Sequence, residues 1–287
     1  MKRIILLVAA SLLGIWAGAQ TLHVEWEKLT AVDFPTAVAK ADSVCIIPMG
    51  VLEKHGPHLP IGTDILNAHG LSMLAAEQEY CVVFPFYYAG QINEARHMPG
   101  TVAYSPELVY KMLEETCEEV ARNGFKKIIL YSYHGGNNSL VTYFCQNQLN
   151  RRHDYIVYAA SHKNPPQANK EIEATRKSHT GGHADELETA TIMVLCPGLA
   201  KIEKAADESG EDLARLPLEN LRPGIWWYAR YPNHYAGESS QATEELGKKV
   251  VDARVEVLAK MIRDVKADTA GPALQREFFD RVDNLLK

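Results

Sequence analysis

Ser43-Val-Cys-Ile-Ile-Pro-Met-Gly50-Val-Leu-Glu-Lys-His-Gly-Pro-His-Leu-Pro-Ile-Gly-Thr-Asp64 carries two signals in succession. Its first seven residues form a short apolar run bounded by a glycine, which reads as a buried strand ending at Met49. The remainder packs Glu53, His55, His58 and Asp64 into twelve residues of loop, a density of metal-type ligands. A solitary Glu or His in a loop is usually solvated surface, so it is the clustering that carries the reading. Active sites of open α/β sheets sit at the carboxyl ends of their strands, where this loop would emerge. In an extended segment Glu53 and His55 would point to one side, letting a carboxylate oxygen and an imidazole nitrogen converge on metal.

Working outward, strand-like runs recur at Cys81 to Phe86, Lys127 to Ser132 and Tyr155 to Ala160. Helix-like stretches separate them at Asp64 to Glu79, Pro106 to Asn123 and Asn138 to Arg151. Alternating strands and helices with short connections predict a mostly parallel central sheet covered on both faces, a three-layer α/β/α fold. A further helix is expected from about His183 to Leu195, and a long amphipathic one from Ala242 to about Val265, where Leu246, Val250, Val251, Val255, Leu258 and Ile262 form an apolar face. The segment Lys201 to Gly237 is irregular and aromatic-rich, with Trp226, Trp227, Tyr228, Tyr231 and Tyr235. It is either a folded surface excursion or an aromatic wall over the site.

Residues 1–19 have the arrangement of a secretory signal peptide: Lys2 and Arg3, an apolar run from Ile4 to Trp16, then Ala17-Gly-Ala19. The apolar run is shorter than the roughly twenty residues a bilayer span needs. The expectation is therefore export to the periplasm or cell envelope, with residues 20–287 forming one domain and no membrane attachment after cleavage. Removing Lys2 and Arg3 leaves 28 basic against 36 acidic residues, a net charge of −8, which argues against nucleic acid as a partner. Five cysteines cannot all pair within one chain and show no C-x-x-C spacing, so they read as small buried hydrophobes. Either the compartment is not strongly oxidising or one or two bridges form.

Two further clusters carry chemistry. Tyr133-His134-Gly-Gly-Asn137-Asn138 follows the third strand, so His134 also sits at a strand's carboxyl end, with paired glycines allowing a tight turn and Asn137 placed to cap the next helix or orient a ligand. His179-Thr-Gly-Gly-His183-Ala-Asp-Glu186-Leu-Glu188-Thr189 enters a helix rich in acidic residues, which alone could be dipole partners. Together with the first loop, it adds the ligands that a dinuclear centre with one position open for water requires.

The three segments resemble the creatininase family, creatinine amidohydrolases and their relatives. The E-x-H-G-x-H-L-P-x-x-T-D signature stands at Glu53 to Asp64, H-G-G-N at His134 to Asn137, H-A-x-x-x-E-T at His183 to Thr189, and P-G-T at Pro99-Gly-Thr101. The resemblance runs from about Trp26 to Lys260. It implies two divalent ions, Zn, Mn or Fe, bridged by Asp64, with Glu53 and His134 on one and His55 and Glu188 on the other, while Glu186 remains an alternative for the last place. His183 is implied as the acid or base, near-neutral in its titration. His58, Asn137, Glu94, His97, Trp226 and Trp227 are candidates for contacts to substrate or to the ligands themselves. The resemblance also implies a homo-oligomer, commonly a hexamer.

Three departures bear on the substrate. Creatininase proper resembles H-Y-E-N where this chain has Gly136 in place of the Glu, placing the chain with H-G-G-N members. Glu94 is followed by Ala95 where many members have a His, with His97 displaced, and family members are mostly cytoplasmic. The expected activity is metal-dependent hydrolysis of a cyclic or small linear amide by a metal-activated water. The competing readings are an exported binding protein of the same fold without catalysis and a thiol amidase using one of the cysteines.

Overall fold

In the computed structural model, which describes residues 22–160 and 164–286, the opening stretch folds as read: Val44–Met49 is strand β1 and is buried at every position. The leader expected at residues 1–19 lies outside the described residues. Helix α1 (Phe34–Lys40) precedes β1, and α2 (Thr63–Gln78), β2 (Val82–Val83), α3 (Pro106–Arg122), β3 (Lys127–Ser132), α4 (Asn137–Asn147) and β4 (Ile156–Ala159) follow. The four strands form a wholly parallel sheet in the order β2-β1-β3-β4. The remaining elements are α5 (Pro166–Thr175), β5 (Gly181–His183), α6 (Glu186–Leu195), α7 (Trp226–Arg230), β6 (Ala236–Gly237), α8 (Glu244–Ala267) and α9 (Ala270–Val282). Among the described residues no helix is long and apolar enough to cross a membrane.

The side-chain alternation of a strand builds the three layers. Cys45, Ile47 and Met49 face Ala37 of α1, Leu113 and Cys117 of α3 and Phe144 of α4. Val44 and Ile46 face Leu71 and Ala75 of α2 and Leu258 and Ile262 of α8. Burial on both faces explains why β1 and β3 read as continuous apolar runs. The helices begin where their capping chemistry dictates: Ser105 accepts from Leu108 N–H ahead of Pro106 in α3, and Thr243 accepts from Leu246 N–H in α8.

The structure corrects several boundaries. Only Val82 and Val83 of the expected Cys81 to Phe86 strand form β2; Phe84 N–H still donates to Ile46 carbonyl, but Pro85 follows with no N–H to offer a strand, and the chain touches β1 again only at Tyr87. The expected helix from His183 begins three residues later. His183 ends β5, paired antiparallel with β6, and Asp185 caps α6 by accepting from Leu187 and Glu188 N–H. The aromatic-rich segment thus contains α7 and β6. Helices α1, α5 and α9, unread in the sequence, also form.

The register of the parallel sheet positions the site. Met49 pairs with Ser132, and Tyr133 N–H donates to Met49 carbonyl at 3.0 Å, so the loops after β1 and β3 leave the sheet side by side. Gly50 brings the first loop against the start of α2: a Cβ there would lie 2.4 Å from Ile65 N and 2.7 Å from Asp64 Cβ. The Gly50→Ala variant should lose about 1–3 kcal/mol of stability through this overlap with backbone, measured by urea unfolding. Wild-type stability would show that the loop yields freely there.

Candidate metal centre

Glu53, His55, Asp64, His134, His183 and Glu188 arrive from five segments, the loops after β1 and β3, α2, β5 and α6, and meet beyond the carboxyl end of the sheet. Asp64 sits in the first turn of α2, where the helix dipole favours a carboxylate. Glu53 N–H donates to Ile61 carbonyl, closing the loop between β1 and α2 on itself. Glu53, His55 and Asp64 are essentially without exposure, and His134 and His183 are buried. Among the described residues, potential ligand atoms cluster in three overlapping groups: Glu53, Asp64 and His134; His55, Asp64 and Glu188; and Glu53, His55 and His183.

The hydrogen bonds around the cluster decide which ring nitrogens face it. His134 Nε2–H donates to Gln91 carbonyl at 2.8 Å, since a carbonyl can only accept. The Nδ1 lone pair then faces Glu53 Oε1 at 2.8 Å and Asp64 Oδ2 at 3.1 Å, and neither oxygen is placed to take a hydrogen bond. His55 Nδ1–H is held by Glu53 carbonyl at 3.2 Å, which aims Nε2 at Asp64 Oδ1 at 3.2 Å and Glu188 Oε2 at 3.9 Å. Buried acceptors converging on buried acceptors are repulsive unless positive charge lies between them. This donor set of imidazole nitrogen and carboxylate oxygen, with each ring oriented by a backbone carbonyl, fits a divalent transition ion.

The titration of these groups points the same way. Burial works against charge on His55, but Asp64, by charge and hydrogen bond, and then Glu53 and Glu188 outweigh it and push His55 up to about 9. His134 is held well above the usual imidazole range against the same burial by Glu53 and Asp64. Burial raises Glu188 to about 8, with His55 opposing. Glu53 stays well below the carboxylate range because His134 and its other imidazole neighbours outweigh burial. In effect, protons are drawn to the positions a cation would fill. His183 differs: burial and the nearby His55 charge push it down to about 3, and its Nε2–H donates to Lys54 carbonyl at 2.8 Å. The near-neutral titration expected of His183 is therefore not what the fold provides; the ring is neutral, with Nδ1 as its free acceptor.

The other expected site residues divide. Glu186 accepts from Lys177 and Ser178 N–H and points away from the cluster, leaving Glu188 as the acidic partner of His55. His58 Nε2 meets Thr189 Oγ1 at 2.8 Å and Ser239 Oγ at 3.0 Å, so the ring is held beside Glu188's neighbour and outside the ligand groups. Asn137 begins α4 and makes no helix cap; it accepts from Gln91 N–H at 2.9 Å, holding the loop whose carbonyl orients His134. Glu94, Trp226 and Trp227 line a cavity of about 310 Å³ over the cluster, whereas His97 binds Pro232 carbonyl at 2.9 Å outside it. Gly136 has no room for a longer side chain: a Cβ would lie 2.4 Å from His134 Nε2 and 2.6 Å from Gln91 Oε1. None of the five cysteines lines the cavity, all are free, and burial pushes Cys81 up to about 12, so a thiol nucleophile has no support here.

Sequence reasoning missed His234, whose Nε2 contacts Glu53 Oε2 and whose ring lies 4.6 Å from that of His183. Its only signal was its place in the aromatic excursion. It also missed Gln91 and Arg222, the latter at the cavity rim with its guanidinium 4.3 Å over Trp226.

A buried carboxylate and imidazole cage opening on a small cavity is the kind of site that metal-assisted hydrolases use. A family model described as creatinine amidohydrolase, of the creatininase family, matches residues 27–262. Creatinine amidohydrolase of Pseudomonas putida is 22% identical over 83% of this chain and 95% of its own length. 3-Dehydro-scyllo-inosose hydrolase of Thermotoga maritima is 26% identical over 83% and 85%. Among solved structures, a mutant creatininase of Zn-Zn type superposes with a TM-score of 0.72 at 20% identity, covering 86% of this chain and 99% of that one. A manganese creatininase gives a TM-score of 0.71 at 20% identity, covering 86% and 100%. The chain belongs to the creatininase family and is a hydrolase.

Metal binding must displace the protons held by His55, His134 and Glu188. Apparent affinity for Zn2+ should therefore rise with pH from about 6 to about 9, and near neutral pH loading should release protons, read by calorimetry in buffers of different ionisation enthalpy. Affinity flat across that range would contradict the assigned protonation.

Proposed function

We propose that this chain is a dinuclear metal-dependent amidohydrolase that opens a cyclic amide or cleaves a small linear amide or formamide. The observation that carries the reading is that two ligand groups share Asp64 and open on one cavity of about 310 Å³, a volume suited to a compact substrate. Glu53 and His134 would hold one ion and His55 and Glu188 the other, with Asp64 between them. Two such ions, Zn, Mn or Fe, supply a water acidified toward neutrality and polarisation of the amide carbonyl.

The protein's own residues do the rest. His183 keeps its proton on Nε2, bound to Lys54 carbonyl, so Nδ1 is free to accept a proton as water adds to the amide carbon. As the C–N bond breaks, the same proton passes from Nδ1 to the departing nitrogen. A ring this reluctant to hold charge returns the proton readily. The Gly135-Gly136 turn leaves backbone rather than side chain beside the cluster, and Trp226 and Trp227 give the cavity flat apolar walls. Export to the cell envelope belongs to the same proposal, supported by the leader-like residues 1–19, as does assembly into a homo-oligomer, supported by the family resemblance.

His183→Ala should lower turnover by about 10²–10⁴-fold while metal content per chain is unchanged. The assay is ammonia or amine release from a panel of small amides, formamides and creatinine, alongside elemental analysis. Chelator should abolish the same activity and thiol alkylation should spare it. Unchanged turnover in the variant would remove His183 from this role.

A further inference from the structure

Trp227 and His234 belong to none of the sequence motifs, yet they end in contact with the cluster. An indole N–H can only donate, and the partner of Trp227 Nε1–H, at 3.0 Å, is His234 Nδ1. His234 Nδ1 therefore carries its lone pair, and the ring proton stands on Nε2, directed at Glu53 Oε2. His234 is 1% exposed and Glu53 0%, so water does not compete for either contact. With Oε2 engaged, Glu53 is left with Oε1 toward His134 Nδ1 and no hydrogen-bond donor of its own.

The backbone supplies a second, independent observation. His234 adopts φ +53, a left-handed conformation that a residue with a Cβ holds only when its surroundings impose it. Here they do: His234 N–H donates to Tyr231 carbonyl at 3.0 Å, and its own carbonyl accepts from Gly56 N–H, inside the ligand-bearing loop, at 3.2 Å. The strained residue is thereby clamped between the aromatic excursion and the loop carrying Glu53 and His55. Trp227 itself lines the cavity, with its ring 5.7 Å from that of His183.

We propose that Trp227 and His234 form a positioning pair that selects which oxygen of Glu53 is presented to the ion shared with His134, and so sets that ion's affinity. This rests on the two-ion reading above. Without the indole donor, nothing holds the His234 ring proton off Nδ1. Its Nε2 lone pair would then face the carboxylate oxygen, and Glu53 would turn away from its present orientation. A glutamine at position 234 cannot tautomerise, so its amide N–H₂ can turn to donate to Glu53 without help from Trp227.

The test is a double-mutant cycle on the full chain loaded with Zn2+, read as the affinity of each ion by chelator competition and as the thermal shift with and without Zn2+. Trp227→Phe, which keeps an aromatic ring and loses the N–H, should weaken one ion by about 10 to 100-fold and leave the other within a few-fold. His234→Ala should do the same. His234→Gln should stay close to wild type, and adding Trp227→Phe to His234→Gln should cost nothing further. Wild-type affinity for both ions in Trp227→Phe would overturn the pair while leaving two-ion binding intact. So would an equal loss from Trp227→Phe in the wild-type and His234→Gln backgrounds, since the indole would then act through packing alone. A wild-type protein binding a single ion, insensitive to every variant, would overturn the two-ion reading and this proposal together.

Discussion

Ligand atoms of Glu53, Asp64, Glu188, His55 and His134 converge in a largely buried cluster, an arrangement that is repulsive unless protons or a cation lie between them. Such a cluster persists only if positive charge is bound at its centre and the surrounding fold holds the ligands apart from their preferred solvent. Much of the architecture is explained as meeting that requirement. The two imidazoles are oriented by backbone carbonyls of Glu53 and Gln91, which cannot reverse their polarity as side chains can. Glu53 Oε2 is engaged by His234, leaving Oε1 toward His134, and Glu188 Oε2 accepts from Ala184 N–H, which fixes that carboxylate beside His55.

The parallel sheet makes this convergence possible. Because Met49 and Ser132 are level across β1 and β3, two loops emerge at the same height, and each carries ligands. The antiparallel β5–β6 pair then delivers His183 from the opposite side, with Asp185 starting α6 so that Glu188, in its first turn, faces inward. Close packing at Gly50 and Gly136 lets backbone approach ligand where any side chain would intrude. The absence of a carboxylate at position 136 is thus matched by the way Gln91 fills the space.

Legibility tracked how local each feature is. β1 and β3 were readable because burial on both faces makes them continuously apolar, and α3 and α8 because caps and apolar periodicity agree. β2 is shorter than its apolar run, in which Pro85 has no N–H to offer a strand, although β1 runs on beside it to Met49. The start of α6 was misplaced because His183-Ala-Asp looks like a helical entry until Asp185 is seen to be the cap. Asn137 looked like a cap for the same local reason, yet its amide is spent on Gln91 N–H and Ser132 Oγ.

The amino-acid sequence alone determined the ligand types, their spacing in three short motifs and the alternation of strand and helix, because each is written within a dozen or so neighbouring residues. Only the tertiary structure decided that Glu188 rather than Glu186 turns toward His55, which nitrogen of each imidazole faces the cluster, and that His234 stands against Glu53 across 181 positions of chain. Those outcomes depend on donors and acceptors brought together by packing. Their polarity has no signature in the local sequence.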